Sequence, residues 1–143
     1  MNTKREIEIL KDPLKIHEAC FANSAKVLTF AFESDPLVQS VIKAGRKALP
    51  LIAEEIKQHG AELNDISLSC FAYILQKIDA AAAAEILWPI YRKTIEKRLF
   101  FASTFVAHAI RKGMGLPVKD REFFYTQAEL RETFEIVKAQ RRG

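Results

Sequence analysis

The sequence predicts an all-α fold of six to seven helices, on three observations. Apolar residues recur at three- and four-residue spacing, the period of a helix that buries one face. Turn-formers are scarce, with five Gly and five Pro in 143 residues. Helix-start signals recur along the chain, each an Asp or Thr placed just ahead of an apolar-periodic run. The hydrophobic fraction of 49% and charged fraction of 28% are ordinary for a globular protein. The length is that of one domain, which buries about two-thirds of the surface its unfolded chain exposes. Residues 1–143 therefore read as a single all-helical domain.

Taken in order, Thr3-x-x-Glu6 has capping-box spacing and predicts a short first helix to about Lys11. Asp12-Pro13 and Asp35-Pro36 pair an N-cap acceptor with a proline suited to the first helical turn. They predict helices over about Pro13–Glu33 and Pro36–His59, with Gly60 supplying a left-handed cap after the latter. Asp65 opens the next helix, whose inward candidates are Ile66, Phe71, Ile74, Leu75 and Ile78. Asp79 caps another, beginning "AAAAAEILWP". The alanines favour helix and let a second backbone approach closely. Residues 113–126, "GMGLPVKDREFFYT", break the pattern, and Phe123, Phe124 and Tyr125 are expected to fold this connection onto the core. Thr126-x-x-Glu129 is a second capping box. It starts a final helix, about 127–141, with Leu130, Phe134 and Val137 on one face.

No apolar run approaches the roughly 18 residues needed to span a bilayer. The N-terminal "MNTKREIEILKDP" is too charged for a secretory signal, so a cytoplasmic protein is expected. Cys20 and Cys70 lie in apolar helical stretches and read as buried, reduced side chains.

Two stretches share a pattern. Leu49-Pro50-Leu51 aligns with Trp88-Pro89-Ile90, and Ile56 with Ile95, at an offset of 39. "CFAYILQKI" (70–78) then aligns with "FVAHAIRKG" (105–113) at an offset of 35, matching Phe71 to Val106, Tyr73 to His108 and Lys77 to Lys112. Each copy, about 37–78 and 80–113, is a proline-bearing helix followed by an apolar one. The arrangement resembles the HEAT/armadillo-like class of α-solenoid repeats, which pair helices with a period of roughly 40 residues. That resemblance implies a short solenoid. The alternative is an irregular helical bundle, because "RKTIEKRLFFASTF" contains no Gly or Pro and 85–112 could be one long helix. A proline inside a regular helix costs about 3 kcal/mol, so each should mark a bend or a first turn.

Signatures of catalysis are missing. His17 and Cys20 share a helix face, but no zinc-type Cys pairing accompanies them. His59 reads as a helix C-terminal residue and His108 as a core histidine. Glu54 and Glu55, being adjacent, point about 100° apart on a helix and form no facing pair. Gly113-Met-Gly115 lacks the third glycine of a dinucleotide fingerprint, and no serine sits in a nucleophile elbow. The sequence argues against an enzyme and implies no cofactor and no metal.

Charge is more informative. Residues 1–85 carry a net −2, residues 86–119 a net +6 and residues 120–143 none. The basic excess therefore lies in the second copy, which carries Lys93 and Thr94 where the first has Glu54 and Glu55. Arg92, Lys93, Lys97, Arg98, Arg111 and Lys112 are the candidate surface for an acidic partner. Arg111 and Lys112 also suit the end of a helix, so the six need not form one patch. The leading expectation is a non-catalytic protein-interaction or scaffold module with an acidic protein partner. Nucleic-acid binding through phosphate contacts is the alternative, although Trp88, Tyr91, Phe100 and Phe101 read as core instead of stacking platforms. A third reading is a small-molecule site between helices, lined by Tyr73, Trp88, Tyr91 and His108.

Overall fold

The computed structural model describes residues 2–11, 31–119 and 125–142. Among them the chain forms seven helices and no strand: α1 (Thr3–Leu10), α2 (Pro36–Ala44), α3 (Ala48–His59), α4 (Asp65–Ile78), α5 (Ala80–Glu96), α6 (Phe100–Gly113) and α7 (Gln127–Arg142). Residues 31–34 are helical as well. The rest of the helix expected over Pro13–Glu33, the His17–Cys20 pair, Phe123 and Phe124 lie outside the described residues.

Several helix ends differ from the sequence expectation. Asn2 caps α1 in place of Thr3, its side chain accepting from the Arg5 N–H at 2.8 Å. Residues 36–59 form two helices, not one. Gly45, at φ 58° and ψ −122°, ends α2, and a single 3₁₀ turn over Gly45–Lys47 leads into α3. Asp35 does cap α2 as expected, accepting from the N–H groups of Leu37 and Val38. Asn64, not Asp65, caps α4. The Asp65 carboxylate instead accepts from the N–H groups of Phe101 and Ala102, at 3.1 and 2.7 Å. It thus caps α6, whose own N-cap residue, Leu99, has no side-chain acceptor to offer.

Residues 85–112 are two helices despite containing no glycine or proline between 90 and 112. The N–H of Leu99 donates to the Thr94 carbonyl and that of Arg98 to the Ile95 carbonyl. This double closure normally carries glycine at its left-handed position. Here Arg98 occupies it, at φ 54°.

The core centres on α4 and α6. Every residue of α4 from Ser67 to Gln76 is buried, as are Ala102–Ala107, Ala109 and Ile110 of α6. A helix buried all round must have neighbours on every side. Fully buried Phe71, Ile74, Leu75 and Ile110 each contribute roughly 1.5–3 kcal/mol of transfer free energy. Phe32 completes this centre, stacked on Tyr73 at 5.4 Å and edge-on to Phe105 at 5.6 Å.

α4 and α6 lie side by side and point the same way. Asp65 meets Phe101 at their N-terminal ends, and Lys112 Nζ donates to Gln76 Oε1 at their C-terminal ends. Both contacts join residues 36 apart, as does the bond from Lys97 Nζ to the Ala61 carbonyl. The helix pair α5–α6 is thereby laid against α3–α4 in a constant register.

Within the second pair, α5 and α6 run antiparallel and come very close. A Cβ on Gly113 would stand 2.2 Å from the Ala80 carbonyl oxygen and 2.7 Å from the Ala84 Cβ. Glycine on one side and the alanine run on the other are what permit this approach, so the run is a packing surface. At the other edge, α1 is fastened to α3 by Lys11, whose ammonium meets Glu55 at 3.0 Å. This contact raises the Lys11 pKa.

Candidate binding groove

α7 closes over α5 and α6 and forms one wall of a groove. Its start is a reciprocal capping box: the Thr126 N–H donates to Glu129 Oε1 at 3.0 Å, and the Glu129 N–H to Thr126 Oγ1 at 3.1 Å. Lys119 pairs with the same carboxylate at 2.8 Å. The hydrogen bond from Lys119 is the first cause of a lowered Glu129 pKa.

A buried polar cluster holds α7 in place. The fully buried Tyr91 donates its hydroxyl to the Leu130 carbonyl at 2.7 Å, and burial raises its pKa. Arg111 Nε donates to Thr133 Oγ1 at 2.7 Å, while its Nη1 reaches the Pro117 carbonyl. The guanidinium also lies over the Tyr125 ring, an arrangement that stabilises a cation against an aromatic face. Beside this cluster Trp88 stacks on Phe134, centroids 5.1 Å apart.

Between the C-terminal half of α5 and the outer face of α7 lies an open groove of about 680 Å³. Ile95 and Phe134 supply its apolar surface, and Arg92, Arg98, Arg131 and Lys138 line it against two carboxylates, Glu96 and Glu135. Arg92 and Glu96 pair at 3.1 Å, both largely exposed. Such a pair is worth little and opens readily to a ligand. Lys138 lies over the Phe134 ring.

The six basic residues expected at a binding surface are thus divided. Arg92 and Arg98 line the groove. Lys93 is exposed on the same helix turn as Arg92. Lys97 is exposed too, but its ammonium serves the Ala61 carbonyl. Arg111 and Lys112 stand at the far end of α6 and are engaged with Thr133, Pro117 and Gln76. The physical reason is the antiparallel α5–α6 turn, which carries the two clusters to opposite ends of the pair.

Arg131 and Lys138 were missed because residues 120–143 are neutral in sum. Their spacing carries the signal: Arg131, Phe134 and Lys138 fall at i, i+3 and i+7, one face of a helix.

The four residues considered as liners of a small-molecule site point in two directions. Tyr91 and Trp88 pack toward α7. Tyr73 is buried against Phe32, with Lys77 over its ring. His108 is half-buried, and burial, with Lys112 and Lys77 nearby, lowers its pKa to about 4. The aromatic residues between 88 and 101 also divide. Phe100, expected in the core, is 52% exposed because it opens α6 directly after the turn. Among the described residues no three His, Cys, Asp or Glu side chains gather as a metal site requires, and no helix is long and apolar enough to cross a membrane.

Comparison with known proteins finds no matching family model, and neither the curated proteins nor the solved structures give a significant match.

Proposed function

We propose that this chain is a short helical-repeat interaction module, in the manner of a HEAT-like solenoid, that holds an acidic segment of a partner protein in the α5–α7 groove. The observation that carries the reading is the groove itself: four cations to two carboxylates, set around Ile95 and Phe134. A mixed wall of this kind favours a ligand with carboxylates spaced along an otherwise uncharged backbone. Complementary charge of this sort accelerates encounter and selects partners. The constant register between α4 and α6 supports the repeat reading, since stacked helix pairs produce extended binding faces. Its place would be the cytoplasm, where its cysteines would stay reduced.

The chain's single tryptophan, Trp88, reports on the site because it stacks on Phe134. A glutamate-rich peptide is expected to shift Trp88 fluorescence and to bind more weakly as salt rises. Reversing Arg131 and Lys138 together (Arg131→Glu, Lys138→Glu) should weaken it by about tenfold or more. Unchanged peptide affinity in that double variant, with the fold intact by circular dichroism, would refute the groove. Tighter binding of a single-stranded DNA of equal charge would favour the nucleic-acid reading instead.

A further inference from the structure

The basic groove has a neighbour of different chemistry. A second hollow, of about 400 Å³, is lined by Phe100, Ser103, Tyr125, Thr126 and Leu130, and it shares Arg98 and Gln127 with the groove. On one side of Arg98 the lining is cationic; on the other it is mainly aromatic and aliphatic. Phe100, beside Arg98 in sequence, is one of two large apolar side chains exposed among the described residues.

Arg98 is also the one non-glycine residue among them with positive φ. Nothing in the turn itself requires arginine. The turn after α6 has the same double closure, from the N–H groups of Gly115 and Leu116, and places a glycine at φ 73°. Glycine adopts that conformation without steric penalty. A long cation held there, at the boundary of two hollows, points to a role for its side chain.

Building on the groove reading above, we infer that the partner segment combines one apolar side chain with an adjoining series of spaced acidic residues. The apolar group enters the smaller hollow against Phe100 and Leu130. The first carboxylate meets the Arg98 guanidinium, a fork that can donate two parallel hydrogen bonds to it. The following acidic residues run along Arg92 and Arg131. A peptide suits this lining better than a nucleic acid. Glu96 and Glu135 stand among the cations and would repel a continuous phosphate ladder, whereas a peptide can set uncharged residues opposite them.

The test uses the full chain and two fluorescently labelled peptides, followed by anisotropy. One carries a leucine followed by glutamates that alternate with uncharged residues; the other has serine in place of that leucine. The leucine peptide is expected to bind about tenfold more tightly. Phe100→Ser should bring it down to the affinity of the serine peptide and leave the serine peptide unchanged. Arg98→Gly and Arg98→Asn both suit the left-handed turn, so the fold is kept, and both should weaken the leucine peptide by about tenfold. Equal affinity for the two peptides, with Arg131→Glu still weakening both, overturns this inference and leaves the groove standing. Failure of both peptides to bind the unaltered protein overturns the groove and the inference together. Tighter binding of oligothymidylate than of either peptide assigns the site to phosphate and overturns the peptide ligand.

Discussion

Pro50 and Pro89 stand at matching places in the two aligned segments and at different places in their helices. Pro50 is the third residue of α3, a helix of 12 residues. Pro89 is the tenth residue of α5, which runs unbroken for 17. The difference originates upstream. Gly45 ends α2 before the first proline, so Pro50 falls in a first turn where its missing N–H has no intrahelical acceptor to lose. Ahead of the second proline come five alanines, strong helix formers with no glycine among them. Helix α5 therefore continues through Pro89, and the Glu85 carbonyl forfeits its intrahelical donor. One residue type thus marks a helix start in one segment and strains a helix interior in the other.

Both prolines are exposed, so alanine can replace either without disturbing the core. Pro89→Ala is expected to raise stability by about 2 kcal/mol, short of the ~3 kcal/mol cost of proline in an ideal helix interior. Pro50→Ala should change it by less than about 0.5 kcal/mol, because the first turn tolerates proline and the unfolded chain becomes more flexible. Urea unfolding of both variants against the parent measures the contrast. Similar effects at the two sites would mean that α5 has already absorbed its proline.

The turns that follow these helices make a second contrast. Gly60 closes α3 at φ 49°, and Arg98 follows α5 at φ 54°. An L-residue in the left-handed α region costs roughly 1–2 kcal/mol, whereas Gly60, with ψ −127°, lies outside that region in a conformation that glycine alone adopts freely. A Cβ on Gly60 would in addition approach Ile90 Cγ2 to 3.1 Å. Gly60→Ala should therefore destabilise by about 1–3 kcal/mol, and Arg98→Gly should stabilise by up to about 1 kcal/mol, the greater freedom of glycine in the unfolded chain offsetting part of the gain. Thermal unfolding is expected to show shifts of opposite sign. A destabilised Arg98→Gly would show that the arginine side chain holds the turn, which its exposure argues against.

The same two turns mark the limit of what the sequence made legible. Caps made by neighbouring residues could be read directly: Asp35, Asp79 and the Thr126–Glu129 pair all act where their spacing placed them. Asp65 looked identical to these, yet its carboxylate reaches across to α6, and no local pattern distinguishes the two uses. The α5–α6 turn was hidden for a related reason. Arg98 is a poor left-handed residue, and it is held there by the packing of both helices against α4. Half of the groove was visible as the basic segment 86–119. The other half lay on α7, where the acids of 120–143, Glu135 in the groove wall among them, cancel Arg131 and Lys138 in the sum, so net charge concealed a grouping of cations around Phe134 that helical spacing preserves.

A third contrast carries the smallest expected effect. Tyr73 and His108 align at the 35-residue offset, so an imidazole stands in one segment where the other has a phenol. Burial, then Lys112 and Lys77, lower the His108 pKa from 6.5 to about 4. In the folded protein His108 is therefore neutral between those values, while in the unfolded chain it binds a proton. The unfolded state gains protons across that window, so the stability tied to His108 is present above about pH 6.5 and is lost as pH falls toward about 4. The side chain is only partly buried, and solvent screening reduces the loss to about 1 kcal/mol. His108→Gln removes the titrating group and keeps a polar side chain of similar size. Comparing unfolding free energies near neutral pH and near the lower end of that window, the parent should lose about 1 kcal/mol more than the variant. Parallel losses would show that His108 accepts its proton in the folded state, with the two lysines moving aside to accommodate it.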